Sequence, residues 1–583
     1  MPVRSKISQD RHPIAYLSME IALDPRIPTY SGGLGVLAGD TIRSAADLAL
    51  PMVAVTLLYR RGYFEQSLDR NGCQRQRPVS WQPEDLLEPL RTQVAVEIGG
   101  RNVQLRAWRY PIHGCNGGRV PAYLLDSDLP ENAAADRSLT DCLYAGDEAH
   151  RLRQEAVLGI GGMRLLRALG YAELRRVHMN EGHAALAVLA LLQEIEQEPP
   201  ADEAKRRACL ASVRTQCVFT THTPVPAGHD KFPAELARRV LGKSCWRWLE
   251  AIGQRGSLNL TELALESSGF VNGVAMRHGE VSRGMFPHYP IRSITNGIHP
   301  ASWASPAMGA VLDRHVPDWR QDAFALRYAV GIPKLEIWRA HSLAKQQLLT
   351  RVQAETGMGF EGEVFTLGFA RRATAYKRAA LIFRDLKRLR ELVRRAGPLQ
   401  LVFAGKAHPR DRAGRALIRD IFKASKALRG EIRVAYLTNY DIELGRLLCA
   451  GVDVWLNNPV PPLEASGTSG MKAALNGVPS LSILDGWWVE GCIPGVTGWA
   501  IGRDGGHLEL AERDEADATA LYEALETLVL PSYYQERDRF LEMMRSSISL
   551  NASFFNTQRM VLQYLYDAYT GPDEAVLNMP DAH

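Results

Sequence analysis

The second half of the chain alternates short apolar runs with helical segments, and this limits the fold more than any other feature of the sequence. Val364–Phe369, Leu399–Ala404, Arg433–Thr438 and Val452–Leu456 read as buried strands. Ala379–Arg395, Arg415–Leu428 and Ile442–Cys449 read as helices between them. Strands separated by helices must pair in parallel, so the expected class is α/β with a doubly wound sheet. The first half carries more glycine turns but repeats the theme. Ile14–Met19, Met52–Leu58 and Cys217–Thr221 are strand candidates, and Arg153–Leu169 and His183–Gln197 are helical. Trp319–Glu355 is a charged, amphipathic connector, and Glu512–Leu530 and Tyr534–Tyr569 close the chain as helices. The expected organisation is an N-terminal α/β domain (1–335), a C-terminal α/β domain (336–555) and a helical tail (556–583) packing back on the first domain. A central cleft would lie between the two sheets.

Composition enters mainly to exclude. In 583 residues, 69 Lys+Arg stand against 65 Asp+Glu, a net charge of +4. That balance argues against a nucleic-acid or polybasic membrane protein, so any anion site must come from local clustering. No run of about 18 or more apolar residues suggests a membrane helix. The eight cysteines, Cys73, Cys115, Cys142, Cys209, Cys217, Cys245, Cys449 and Cys492, include no C-x-x-C pair. Reduced thiols in a cytoplasmic protein are expected, with no structural metal. The first ten residues hold no apolar core of a secretory signal.

Three segments could carry chemistry. Ser31-Gly-Gly-Leu-Gly-Val-Leu-Ala-Gly39 precedes a helical stretch. Its glycines and the helix start could receive an anion, though alone it reads equally as a tight turn. Ala370-Arg-Arg-Ala-Thr-Ala-Tyr-Lys-Arg378 follows a strand and holds four cations. In an open parallel sheet that position faces the ligand crevice. Cations at a helix start oppose the macrodipole by about 0.3–1 kcal/mol each, so the pattern points to a bound phosphate rather than a solvated basic face. Leu463-Glu-Ala-Ser-Gly-Thr-Ser-Gly-Met-Lys-Ala-Ala-Leu-Asn-Gly477 runs into a short helix stopped by Asn-Gly. Lys472 is expected in its first turn, where a disfavoured ammonium would be ready to form a Schiff base. Single His-containing turns at Asn180–His183, Thr221–Pro224, Asn272–His278 and Asn296–Pro300 lack metal spacing and suit a cleft that reads sugar hydroxyls.

Together these segments resemble the α-glucan phosphorylases, the glycogen, starch and maltodextrin phosphorylase family. EASGTSGMKAALNG is similar to the family's pyridoxal-phosphate attachment segment, and ARRATAYKR to its basic segment around two phosphates. YLSMEI, YSGGLGVLAGD, VNGVAMRH, SITNGIHP and LNNPVPPLEASGT match in the family's order. The resemblance implies a glycosyltransferase-B architecture of two Rossmann-like domains. It also implies reversible, retaining phosphorolysis of α-1,4-glucan by inorganic phosphate to α-glucose 1-phosphate. Carried over by motif, Lys472 would hold pyridoxal 5′-phosphate covalently. Arg371, Thr468 and Ser469, with the backbone at Gly32 and Gly33, would hold its phosphate. Arg372 and Lys377 would bind the substrate phosphate. His278, Asn296, Tyr376, Glu464, Ser466 and Gly467 would contact the reacting glucose, and Glu181 and His183 the acceptor side. The cofactor's phosphate would act as proton shuttle. Two such phosphates about 5 Å apart repel by roughly 7–13 kcal/mol at an effective dielectric of about 20, so clustered cations are a requirement.

The sequence also departs from the long members of that family. Arg371 stands where they carry lysine, Thr374 where they carry histidine, and Asn180-Glu-Gly-His183 replaces an Asn-Asp-x-His turn. Tyr144–Glu155 looks shortened against their gating loop, and the first strand candidate begins at Ile14. The short bacterial and archaeal branch is the nearer likeness. An N-terminal extension for phosphorylation and nucleotide control is not expected, and a homodimer is an assembly the resemblance allows. Two other readings compete. A nucleotide-sugar synthase of the same architecture would not need Lys472 as an imine. A glucan-binding protein that has lost activity would explain Arg371 and Thr374.

Overall fold

The structure is a computed structural model that describes residues 12–225, 228–502 and 510–570. Contacts divide the chain into two units. The first comprises the residues through Phe64, Pro78–Thr295 and those from Met560 onward; the second comprises Glu65–Arg77 and Asn296–Arg559. Each is a doubly wound α/β body, the class expected.

In the first unit, nine strands form one sheet among the described residues. Its order is Ile291–Ser293, Phe270–Gly273, Cys217–Thr220, Arg176–Asn180, Ile14–Ser18, Met52–Leu57, Arg119–Asp126, Arg101–His113 and Glu88–Ile98. Pairing is parallel as far as Arg119–Asp126, and the last two strands add an antiparallel meander. Alternate side chains divide between two cores. Ala15, Leu17, Val53 and Val55 enter one cluster, and Ile14, Tyr16, Met52 and Ala54 the other. A sheet buried on both faces needs continuous apolar strands, and that is how these segments read. The second cluster is completed by Met560, Val561, Tyr564, Leu565, Ala568 and Tyr569 from the far end of the chain.

The second unit is built on six parallel strands in the order Arg433–Leu437, Leu399–Ala404, Phe365–Ala370, Val454–Asn457, Ser480–Ile483 and Gly498–Ile501. The chain moves outward from Phe365–Ala370 in one direction, then returns to its other side at Val454–Asn457. Strand order therefore reverses between these two neighbours, and in open parallel sheets the ligand crevice lies outside the carboxyl ends of such a pair. The loops leaving those two ends are the basic segment from Arg371 and the segment from Asn458 to Thr468. The hairpin Glu65–Leu68/Gln74–Arg77 belongs to this unit. Gln66 Nε2 donates to the Gly405 carbonyl and Gln74 Nε2 to the Ala407 carbonyl, at 2.9 and 2.8 Å.

Two local expectations are corrected. The basic segment does not open an α-helix: after Phe365–Ala370 come two short 3-10 turns, Ala375–Lys377 and Leu381–Phe383, and the helix begins at Leu386 behind an Asp385 cap. The macrodipole therefore does not act on its four cations. Lys472 is the fourth residue of the seven-residue helix Ser469–Leu475 and lies as much in its last turn as in its first. A cation in the last turn complements the dipole rather than opposing it. Burial, not the helix end, sets the surroundings of that amine.

Candidate active site

The second unit brings most of the expected residues to the reversal point of its sheet. Arg371 leaves strand Phe365–Ala370 and is almost fully enclosed; its guanidinium meets the Glu464 carboxylate at 2.6 Å and also bonds the Asn457 side chain. Lys377 reaches the same oxygen, Glu464 Oε2, at 2.5 Å and lies over the Tyr376 ring at 4.5 Å. One buried carboxylate therefore faces two buried cations. The fourth cation of the segment, Arg378, sits at φ +52° and is structural. It donates to the Asn458 and Pro459 carbonyls and pairs with Asp514 and Asp517. Arg372 remains exposed at the surface of the loop.

Electrostatics at this centre follow from crowding. Burial and the neighbouring Arg371 charge pull Lys377 down to about 7. Burial alone would raise Glu464, but Arg371 and Lys377 hold it at about 2. Burial, helped by the Glu464 charge, pushes Asp485 up to about 7, although its carboxylate accepts the Glu464 and Gly486 backbone N–H groups at 2.9 Å. Burial raises the Tyr376 phenol to about 12. A pair of titratable carboxyls with pKa values driven apart, beside a cation poised near neutrality, is the signature of a functional site.

The loop carrying Glu464 is held tightly. Trp487 N–H donates to the Ser466 carbonyl at 2.9 Å. Gly467 at φ +83° and Gly486 at φ +56° flank the Glu464 side chain; a Cβ on either would come within 3.3 Å of it, and one on Gly486 would strike the Ser466 carbonyl at 2.4 Å. Ser466 Oγ and Thr374 Oγ1 are buried with no hydrogen-bond partner among the described residues. Buried hydroxyls left unsatisfied are costly, so these two are prepared for a ligand. Lys472 is 7 % exposed, with its ammonium 3.8 Å from the centre of the Trp303 ring. Thr468 caps the short helix and accepts the Lys472 N–H through its carbonyl, and Ser469 Oγ accepts from Trp455 Nε1 at 3.1 Å. Asn296 also falls in this unit, buried, with Oδ1 unpartnered among the described residues. Asp485, Asn457 and Trp303 belong to this site and were not singled out by sequence.

The first unit holds the remaining residues. Glu181 stands at φ +73°, a conformation rare for any side chain but glycine, at the carboxyl end of Arg176–Asn180. Its carboxylate accepts from the Gly182 and His222 N–H groups and from Thr223 Oγ1 at 2.8–3.0 Å. The charges of His222 and His183 lower its pKa against the effect of burial. His278 is buried, its pKa brought down to about 4 by burial, and Nδ1 accepts the Val274 N–H at 3.1 Å. The neutral ring therefore carries its proton on Nε2. His183 lies with Arg151, Glu155 and Asp230: Arg151 meets His183 Nε2 at 2.9 Å and both carboxylates at 3.1 Å. Donor atoms of Glu155, His183 and Asp230 fall within 4.8 Å of one another, but the Arg151 guanidinium already serves as their cation. Gly32 caps the helix Gly33–Asp47. A Cβ on Gly32 or Gly33 would meet nothing within 4 Å, whereas one on Gly35 or Gly39 would strike neighbouring atoms. The first N–H groups of the loop are taken internally: Glu20 accepts from Ser31 N–H at 2.6 Å and Gly32 N–H at 3.3 Å.

Residues 243–494 match the family model described as carbohydrate phosphorylase. The chain is 40% identical to a maltodextrin phosphorylase of Thermococcus litoralis, over 96% of this chain and 70% of that protein. It is 39% identical to a glycogen phosphorylase of Mycobacterium tuberculosis, over 95% and 70%. A glycogen phosphorylase of Aquifex aeolicus is 33% identical over 96% of this chain and 86% of its own length.

Proposed function

This chain belongs to the carbohydrate phosphorylase family, and from that premise we propose that it is a glycosyltransferase that phosphorolyses α-1,4-glucan to α-glucose 1-phosphate. The observation that carries the proposal within this chain is the reversal point of the second sheet. There, two buried cations and two unsatisfied hydroxyls lie on the loops that leave two adjacent strand ends, and a buried amine lies on the short helix that follows one of them.

Pyridoxal phosphate is the proposed cofactor. The residues fit it: Lys472 offers a buried amine under an aromatic face, Arg371 a guanidinium, and Ser466 and Thr374 free hydroxyls. In the first unit, a Cβ on Gly33 would meet nothing within 4 Å, while the Gly32 N–H is already given to Glu20. Lys472 would hold the group, and Arg371, Thr468 and Ser469 its phosphate. When bound, it supplies through that phosphate an acid–base group whose second pKa, near 6, suits neutral pH.

The reaction transfers one glucosyl unit. A phosphate oxygen forms a bond to the anomeric carbon, the glycosidic bond breaks, and the departing oxygen receives a proton as the shortened glucan leaves. Arg372 and Lys377 bind and orient the attacking phosphate, and a bidentate arginine fixes its direction as well as its charge. The bound dianion also stabilises positive charge that develops on the sugar. Glu464 and Ser466 accept and donate hydrogen bonds to glucose hydroxyls, and Tyr376 walls that side. His278 contributes a neutral N–H donor, and Asn296 an amide with a free oxygen. Glu181 and His183 serve the acceptor glucan. The cytoplasm is the proposed compartment; all eight cysteines are free thiols, and among the described residues no helix is long and apolar enough to cross a membrane.

The test is direct. Purified protein incubated with maltodextrin and inorganic phosphate releases glucose 1-phosphate. It absorbs in the near-ultraviolet and visible range, and Lys472→Ala abolishes that absorbance. A colourless protein that consumes a nucleotide sugar instead would defeat the proposal.

A further inference from the structure

Beyond the ends of Phe365–Ala370 and Leu399–Ala404, the parallel ladder continues into the loops that leave them. Arg371 N–H donates to the Ala404 carbonyl at 3.1 Å, and Ala373 N–H to the Lys406 carbonyl at 3.0 Å. Arg372, proposed above to bind the attacking phosphate, lies between these two fixed points. The approach is close: Gly405 stands at φ +154°, and a Cβ there would come 2.0 Å from the Arg371 carbonyl oxygen. Two buried glutamines of the hairpin Glu65–Leu68/Gln74–Arg77 hold this turn across 339 and 333 residues of sequence. Gln74 takes both polar groups of the Ala407 backbone, accepting its N–H at 3.0 Å and donating to its carbonyl at 2.8 Å. Gln66 donates to the Gly405 carbonyl at 2.9 Å and to Gln74 Oε1 at 2.8 Å. It also exchanges two bonds with Asn439, backbone N–H to side-chain oxygen in each direction, at 3.0 and 2.9 Å. None of these bonds uses a side chain proposed to hold phosphate or the cofactor, so none competes with a ligand.

We propose that Gln66 and Gln74 are positioning residues for the substrate phosphate, acting through the 404–407 turn on the backbone that carries Arg372. The argument rests on the phosphorylase reading above. A primary amide offers a donor and an acceptor side by side without charge, which is what the two backbone groups of one residue require. Ala407 is fully buried, so without Gln74 its N–H and carbonyl would lose their partners in a place that water does not reach. The turn would move to satisfy them, and the Arg371–Ala373 ladder would move with it. A guanidinium that must meet phosphate bidentately is sensitive to such a shift, since a misplacement of about 1 Å can cost about 10²-fold. The coupling is reciprocal: if a loosened hairpin weakens phosphate binding, bound phosphate must tighten the hairpin by the same factor.

The experiment compares the holoenzyme with Gln74→Met and Gln66→Met, which keep the length of the side chain and remove the amide. In each variant KM for inorganic phosphate should rise roughly tenfold, while KM for maltodextrin stays within about twofold of the parent. A purely structural role would lower the melting temperature and leave that split unmoved. An unchanged KM for phosphate, or an equal rise for both substrates, would overturn the proposal. If the variants lost their fold, the unmodified holoenzyme would still decide. Saturating inorganic phosphate should slow amide hydrogen exchange in residues 65–77 and 404–407, and exchange there indifferent to phosphate would overturn the proposal as well. An unmodified enzyme that releases no glucose 1-phosphate from maltodextrin would fail the functional reading itself. Normal phosphorolysis in the parent, with phosphate KM unmoved in both variants, would fail this inference alone.

Discussion

Lys377 is half-charged at pH 7, because burial and the Arg371 guanidinium bring its pKa down to about 7. An amine is cationic below its pKa, so the free enzyme loses this proposed phosphate ligand's charge as pH rises through neutrality. The second-order constant for phosphate, kcat/KM, reports ionisations of the free enzyme. It should therefore fall on the alkaline side of about pH 7, and Lys377→Arg should remove that limb, since a guanidinium stays protonated. A rate profile flat from pH 7 to 9 would refute the assignment. The sign for stability is opposite to that of an amine whose pKa is raised by its partner, because burial and Arg371 outweigh Glu464 here. The unfolded chain binds this proton up to its usual pKa of about 10.4, and the folded chain releases it near 7, so Lys377's contribution to stability rises with pH between those values. Arg372 is the other cation assigned to the phosphate. Its expected role is to grip the nucleophile, and Arg372→Ala should lower turnover by about 10²–10³-fold, the usual consequence of removing one charge-stabilising donor. Steady-state kinetics with saturating glucan measures it; turnover within a few-fold of the parent would dismiss the role. His278 offers the contrast of a group that does not switch, since its pKa of about 4 keeps the ring neutral across the working range.

Two strand ends and the loops that leave them hold the residues proposed for the phosphate side, and much of that was legible in the sequence. Leu399–Ala404 read from its apolar run is the observed strand, and Phe365–Ala370 lies one residue from the Val364–Phe369 expected. Apolar runs flanked by helices leave little choice of partner in a parallel sheet. Within the meander, Glu88–Ile98 and Arg101–His113 were not legible, because these half-exposed strands carry interspersed charges that blur the alternation. The counter-ion of the basic segment was also hidden. The surplus of cations pointed to an anion, but Glu464 lies 87 residues from Lys377, and no local pattern joins them. Asp485 was missed for the same reason, as a lone acid between an apolar strand and two tryptophans. The turn beyond it gives a test at this scale. Gly486 stands at φ +56°, and a Cβ there would come 2.4 Å from the Ser466 carbonyl. Gly486→Ala should cost about 1–2 kcal/mol for the left-handed conformation alone, more with the clash. It should also raise KM for the glucan by shifting the loop that carries Glu464 and Ser466. Thermal unfolding and kinetics together check it, and an unaltered melting temperature would show that the turn is not strained.

At the scale of the molecule, the chain returns to its first sheet to finish that sheet's core. Met560, Val561, Tyr564, Leu565 and Tyr569 are each under 5 % exposed and fill the same cluster as Ile14, Tyr16 and Met52. The segment also closes a buried polar network. Tyr569 Oη bonds His178 Nδ1 at 2.6 Å, and Tyr564 Oη lies 3.0 Å from Thr220 Oγ1 and 2.9 Å from Asn272 Nδ2. His178, Thr220 and Asn272 sit on three neighbouring parallel strands, two residues or fewer from the strand ends that lead to Glu181, His222 and the His278 turn. The two contributions differ in size. Five large apolar side chains at about 1.5–3 kcal/mol each come to about 8–15 kcal/mol, as much as a whole domain's net stability of about 5–15 kcal/mol. A chain ending at Arg559 should therefore fail to fold its first unit, and be recovered aggregated or proteolysed. Tyr569→Phe keeps the ring and removes one hydroxyl, leaving a buried imidazole nitrogen unpaired at a cost of about 1–3 kcal/mol. That variant should fold, melt lower, and retain its absorbance from Lys472, since nothing in the second unit has changed. A soluble, cooperative melt of the truncated chain, matching that of the full chain, would mean that the returning segment covers the sheet without holding it together.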